Sequence, residues 1–181
     1  NIVFVIGEGA SEAIGSVLTA AFLLKARLVT TPHGKGLVSP YHPLFFGVVG
    51  FAGHSSAVEV LKDPELDTVV CIGTTLGEWA SNGWDADLLL NDRLIHIDEQ
   101  ENNFTYTPMA RLHVRGRIVT LFEQLLGHLN KLSKDADYEQ LDSQVAPPMN
   151  DGVYSFTLDD EEGFRDDDKP IKPQRLMYEL S

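Results

Sequence analysis

Ile2-Val3-Phe4-Val5-Ile6-Gly7-Glu8-Gly9-Ala10 opens the chain with five consecutive apolar residues and stops them at two closely spaced glycines. An apolar run without polar alternation is buried on both faces, which is the signature of a strand inside a parallel sheet rather than at a solvated surface. The glycines end it. Ala13, Ile14, Val17, Leu18, Ala21 and Leu24 then recur at helical spacing, so Ser11 to Leu24 is expected to be a helix laid on that sheet. Strand, glycine turn and helix together are the first half of a parallel α/β unit.

The same alternation continues outward. Leu28 to Thr31 reads as a second strand, Pro32 and the glycines after it as a loop, and Phe45 to Val48 as a short strand. Ser55 to Leu61 reads as a helix, Thr68 to Gly73 and Arg93 to Asp98 as strands, and Leu112 to Val114 as a short last strand. Ile118, Leu121, Phe122, Leu125, Leu126 and Leu129 make Arg117 to Leu129 the clearest amphipathic helix. The expected fold is α/β, a Rossmann-like three-layer sandwich with a central parallel sheet of about six strands and right-handed crossovers. Beyond Lys134 periodicity is lost, apart from a strand expected at Val153 to Leu158.

Charge divides the chain where periodicity does. The net charge is −13 over 181 residues. Residues 1–132 hold 9 basic and 14 acidic residues, net −5, whereas residues 133–181 hold 5 and 13, net −8. Asp159-Asp160-Glu161-Glu162 and Asp166-Asp167-Asp168 fall in the second segment, which reads as a solvated linker. Consecutive aspartates do not supply the alternating ligands of a calcium loop. An acidic chain is also a poor partner for a phosphate backbone, so no nucleic acid is expected. No apolar run reaches the roughly 20 residues that span a bilayer, and cytoplasmic residence without a membrane partner is the expectation. The single cysteine, Cys71, lies in an apolar strand and is read as a small buried hydrophobe.

Candidate ligand groups gather where strands end. The Gly7-Glu8-Gly9-Ala10 turn is expected to carry bare amides to a helix N-terminus, where an anion such as a pyrophosphate is favoured. A dinucleotide fingerprint places its third glycine at position 12, which here is Glu12, a residue that repels phosphate. The plainer reading of the turn is close packing. His33 and Lys35 stand in the loop after the second strand, and Asp98 ends the Arg93 to Asp98 strand, where a ribose hydroxyl would find an acceptor. His42, His54 and His96 have no metal-ligand spacing, so no metal is assigned. Trp79 and Trp84 are read as residues at a domain contact.

Four pieces in order carry a resemblance: Gly7-Glu8-Gly9-Ala10; Thr30-Thr31-Pro32-His33-Gly34-Lys35-Gly36, continuing through His42-Pro43 to Gly47-x-x-Gly50-x-x-Gly53; Val69-Val70-Cys71-Ile72-Gly73; and Ile95-His96-Ile97-Asp98. Over roughly Asn1 to Leu129 the chain resembles the central domain of thiamine-diphosphate enzymes of the acetolactate synthase, pyruvate oxidase and benzoylformate decarboxylase group. The resemblance implies a DHS-like NAD/FAD-binding sheet. In such enzymes thiamine diphosphate and Mg2+ are held by two other domains, through a glutamate and a Gly-Asp-Gly motif with a downstream Asn. Gly-Asp-Gly occurs nowhere here. The chain is therefore expected to be a piece of a larger lyase or transferase and inactive by itself.

Residues 1–132 would be the central domain, 133–170 an acidic linker, and 171–181 the start of the following diphosphate-binding domain. Its partners would be the other two domains and further copies, as a dimer or tetramer. The resemblance assigns no catalytic residue to this segment. Its cofactor-binding candidates are Gly7, Gly9, Ala10, Thr74, Thr75 and Asp98. Flavin-containing relatives carry an arginine where Thr74 or Thr75 stands and a histidine where Ala52 stands, so ADP is expected in preference to FAD. The rival expectations are a freestanding FAD-, NAD- or ADP-binding module and a purely structural domain.

Overall fold

The computed structural model describes residues 1–135, 161–165, 167 and 169–180. The strand expected at Val153 to Leu158 and most of the acidic segment lie outside them. The chain falls into two units, Asn1–Asn150 and Asp151–Ser181, whose boundary lies inside the expected linker.

The first unit is a six-stranded parallel sheet in the order β3-β2-β1-β4-β5-β6. The strands are β1 (Ile2–Ile6), β2 (Arg27–Thr30), β3 (Phe45–Val48), β4 (Thr68–Ile72), β5 (Leu94–Asp98) and β6 (Leu112–Arg115). β1 shows why the run Ile2 to Ile6 has no polar alternation. Val3 and Val5 face one buried cluster with Val69, Cys71 and the leucines Leu88 and Leu89. Phe4 and Ile6 face the other, with Val17, Ile72 and Phe122. Helix α1 (Ile14–Leu24) and the later helix α3 (Ile118–Asp135) cover the second cluster; α2 (Ser55–Leu61) and the segment 76–90 cover the first. Cys71 is fully buried, and burial pushes its thiol well above the ordinary range, as expected of an inert core residue.

Strand ends fall within one residue of expectation, a 3-10 helix at Glu101–Tyr106 was not expected, and two of the expected helices differ more. The helix expected from Ser11 winds as a 3-10 turn over Glu8–Ala13 and becomes α-helical only at Ile14. The cause is tethering. Gly7 and Gly9 donate their N–H groups to Ile72 and Gly73 carbonyls at 2.9 and 3.0 Å, which holds the chain down over the end of β4 before a full α-turn can form. Helix α3 runs to Asp135, beyond the expected end at Leu129. In the second unit, a short helix α4 (Glu161–Arg165) and α5 (Pro173–Leu180) are formed, and Arg175 pairs with Glu179 at 2.8 Å one helical turn on. No helix among the described residues is long and apolar enough to cross a membrane.

The strand ends are locked by backbone-to-backbone approach. A Cβ on Gly7 would overlap the Gly73 carbonyl, one on Gly34 would overlap the Ile6 carbonyl, and one on Gly73 would lie 2.6 Å from the Ala10 nitrogen. Gly73 also holds φ at +61°, a conformation that glycine adopts without strain. Gly15, in the first turn of α1, faces open space. Gly34→Ala is therefore expected to lower stability by about 2–3 kcal/mol through forced overlap. Gly15→Ala should be neutral or stabilising by up to about 1 kcal/mol. Paired thermal melts check this, and equal losses in the two variants would show that the glycine contact is not what holds the edge.

Candidate functional site

In the strand order 3-2-1-4-5-6 the connections leave β1 and β4 in opposite directions, and a crevice opens outside their carboxyl ends. A cleft of about 330 Å³ lies there. The loop after β1 contributes Glu8, Gly9, Ser11, Glu12 and Ala13, the loop after β2 contributes Thr31 and His33, and the loop after β4 contributes Gly73, Thr74 and Thr75. Asp98, Glu99, Gln100 and Asn103 follow β5, and Ile118 and Val119 begin α3.

Of the six cofactor-binding candidates, the fold gathers Gly9, Thr74, Thr75 and Asp98 around this cleft. Gly7 and Ala10 are buried behind it, packed against Gly73. Three of the amides on which an anion site would rest, those of Gly7, Gly9 and Ala10, are engaged. Besides the two bonds to β4 carbonyls, Ala10 donates to the Gly7 carbonyl at 3.2 Å, and Gly73 donates to Ile97 at 2.9 Å. Lys35 is exposed and does not line the cleft.

Charge in the cleft is one-sided. Among the described residues Glu8, Glu12, Asp98 and Glu99 line it, and no lysine or arginine does. Asp98 is 4% exposed, and its Oδ1 accepts from the Gln100 N–H at 2.7 Å. Glu99 reaches across 19 positions to accept from the Ile118 N–H at 3.0 Å, so a side chain of this protein already complements the N-terminus of α3. Glu12 pairs with the exposed Arg117 at 3.5 Å. Sequence reasoning missed Glu99, Gln100, Asn103, Ile118 and Val119. Glu99 adjoins Asp98 in sequence, but nothing local signals its bond to a helix that starts far along the chain.

A buried histidine supports the floor. His96 Nε2 is 2.8 Å from the Thr74 carbonyl, which can only accept, so this nitrogen carries the proton. Nδ1, 2.9 Å from Thr107 Oγ1, is then the acceptor. His113 Nε2 donates to the Thr107 carbonyl at 2.9 Å, and Phe104 stacks on the His113 ring. Burial lowers the pKa of His96 and prevails over the opposing pull of the Thr74 carbonyl and the Asp98 charge, while His113 adds to the lowering. The other two histidines in question are local braces. His42 Nδ1 accepts from the Leu44 N–H and His54 Nδ1 from the Val48 N–H.

Away from the cleft, Phe51 packs on Trp79 with ring centroids 4.7 Å apart, and Trp84 stacks on Tyr106 at 5.8 Å. All four rings are exposed, Phe51 at 63% and Trp79 at 60%.

The family described as "Thiamine pyrophosphate enzyme, central domain" matches residues 1–125. A probable acetolactate synthase large subunit from Methanococcus aeolicus is 27% identical over 173 residues, covering 96% of this chain and 28% of that protein. One from Methanocaldococcus jannaschii is 30% identical over 183 residues, covering 97% of this chain and 27% of that protein. A putative acetolactate synthase large subunit from Mycobacterium tuberculosis is 40% identical over 76 residues, covering 40% and 14%. The chain thus spans less than a third of the length of these relatives.

Because His96 is held neutral, its contribution to stability is complete above its unfolded pKa of about 6.5 and is lost as pH falls below that value toward the depressed folded one. His42, lowered by burial, acts in the same direction. The melting temperature should hold steady from about pH 8 to 6.5 and decline from there to about pH 5. His96→Gln should cost about 1–3 kcal/mol at neutral pH and flatten that decline. A pH series of melts on both proteins measures it; an undiminished acid slope in the variant would assign the decline to other groups.

Proposed function

The chain belongs to the family of thiamine pyrophosphate enzyme central domains, and from that premise we propose that it is the non-catalytic scaffold of an acetolactate synthase-like enzyme acting on 2-oxo acids. Such a parent is a lyase or a transferase that forms or cleaves the bond next to a carbonyl. Thiamine diphosphate and Mg2+ would be held by the domains on either side and supply that chemistry. One observation carries the scaffold reading: among the described residues the cleft at the switch point is lined by four carboxylate residues and no lysine or arginine. A cofactor diphosphate needs cations or free amides, and here the Gly7 and Gly9 amides already bond to the Ile72 and Gly73 carbonyls.

The residues therefore do not fit a flavin dinucleotide, and ADP, with less to place, is the preferred nucleotide of the two. The exposed pairs Phe51–Trp79 and Trp84–Tyr106 support a scaffold role, since aromatic surface of this kind is the usual material of a domain contact. Homo-oligomeric assembly of the parent and cytoplasmic residence belong to the same proposal.

Titration calorimetry with thiamine diphosphate and Mg2+, and separately with FAD, should give no binding in the micromolar range. Micromolar binding of thiamine diphosphate to this chain would overturn the scaffold assignment, and a protein that purifies yellow would overturn the exclusion of flavin.

A further inference from the structure

Phe51 and Trp79 do not lie on a flat face. With Glu78, Asn82 and Gly83 they line a cavity of about 360 Å³, within the size range of small-molecule pockets. The rings are tilted at 57° with centroids 4.7 Å apart, so nothing fits between them and a ligand meets both as one wall. Both are mounted on fixed backbone. Phe51 donates its N–H to the Trp79 carbonyl at 2.8 Å, and a Cβ on Gly50 would overlap that same carbonyl. The turn beside them holds Asn82, Gly83 and Trp84 at φ of +58°, +75° and +65°. It is closed by a bond from the Gly83 N–H to the Glu78 carbonyl at 2.8 Å and by one from the Trp84 N–H to the buried Ser81 Oγ at 3.0 Å. Residues other than glycine keep such angles only where their surroundings over-determine them.

The chemistry of these walls selects a ligand. Glu78 is exposed, and its carboxylate has no hydrogen-bond or ion-pair partner among the described residues. No lysine or arginine among them lines the cavity. Aromatic faces attract a cation through the ring quadrupole, Trp most strongly, and a carboxylate at their edge adds its own charge. The chain's net charge of −13 favours the same sign of ligand. The rings offer no conventional hydrogen-bond acceptor, so a primary ammonium would leave N–H donors facing them. A cation whose surface is alkyl leaves none. We propose that Phe51, Trp79 and Glu78 form a binding site for a small alkylated ammonium ion, the rings taking its methyl groups and Glu78 its charge. Every one of these residues lies within this chain, so the site is independent of the scaffold reading.

Choline and dimethylbutanol, its uncharged carbon analogue, titrated into the full chain at fixed ionic strength test the proposal, with saturation transfer to the ligand's methyl protons as the readout. Choline should bind with a Kd of about 1 mM, and about tenfold more tightly than the alcohol. Glu78→Gln should weaken choline about fivefold while leaving the alcohol within about twofold. Trp79→Leu should weaken choline by about tenfold, and Trp79→Phe should recover part of that loss. Should Trp79→Leu lower the melting temperature, the Glu78→Gln comparison at an exposed position still decides the matter. Equal affinity for choline and the alcohol, unchanged choline affinity in Glu78→Gln, or no choline binding at millimolar concentration would overturn the proposal. Argininamide binding more tightly than choline would overturn it too, in favour of a guanidinium ligand.

Discussion

Backbone meets backbone where β1, β2 and β4 end. Gly7 and Gly9 lie against Gly73 and Gly34 lies against the end of β1; the Gly7 and Gly34 approaches leave no room for a Cβ, and a Cβ on Gly9 would lie 3.0 Å from Gly73. Two amide-to-carbonyl bonds run from the β1 loop to the end of β4, so neighbouring loops are joined as closely as the strands beneath them. Position of the cleft follows from this contact. So does the late start of α1, because a chain tied down at Gly7 and Gly9 winds first as a 3-10 turn. A dinucleotide site would leave those amides free; here they hold the protein together.

The other half of the cleft is held by side chains. His96 joins the β4 loop to Thr107, and Glu99 joins the end of β5 to the start of α3. His96 and Thr107 are satisfied buried polar groups of the kind that fix a single arrangement, while Glu99 makes its bond from an exposed position. The four carboxylate residues that line the cleft give it a negative field, and the excess of acidic residues over the whole chain acts in the same direction.

Much of the fold was legible. β1, β3 and α2 fall at the expected residues because their apolar runs and flanking turn residues agree. The α/β class follows from the alternation of apolar runs with helical periodicity, and Asp98 was recognisable as a cleft residue because a strand's carboxyl end is where a parallel sheet places its ligands. Gly7 and Ala10 were legible as a turn with close packing as its plainer reading, but the strand they pack on was not. Whether a glycine is there for a ligand or for a neighbouring strand depends on which strand lies beside it.

By itself, then, the sequence determined the kind of sheet, the two-sided burial of its central strands and the overall acidity, because these depend on residue type and on spacing along one segment. Tertiary structure decided what the glycine turn does and which charges face one another. Glu99 meets the Ile118 amide and Glu12 meets Arg117 across gaps of 19 and 105 residues, and hydrogen bonds and Coulomb interactions depend on distance in space. Only the folded order of strands brings those pairs together.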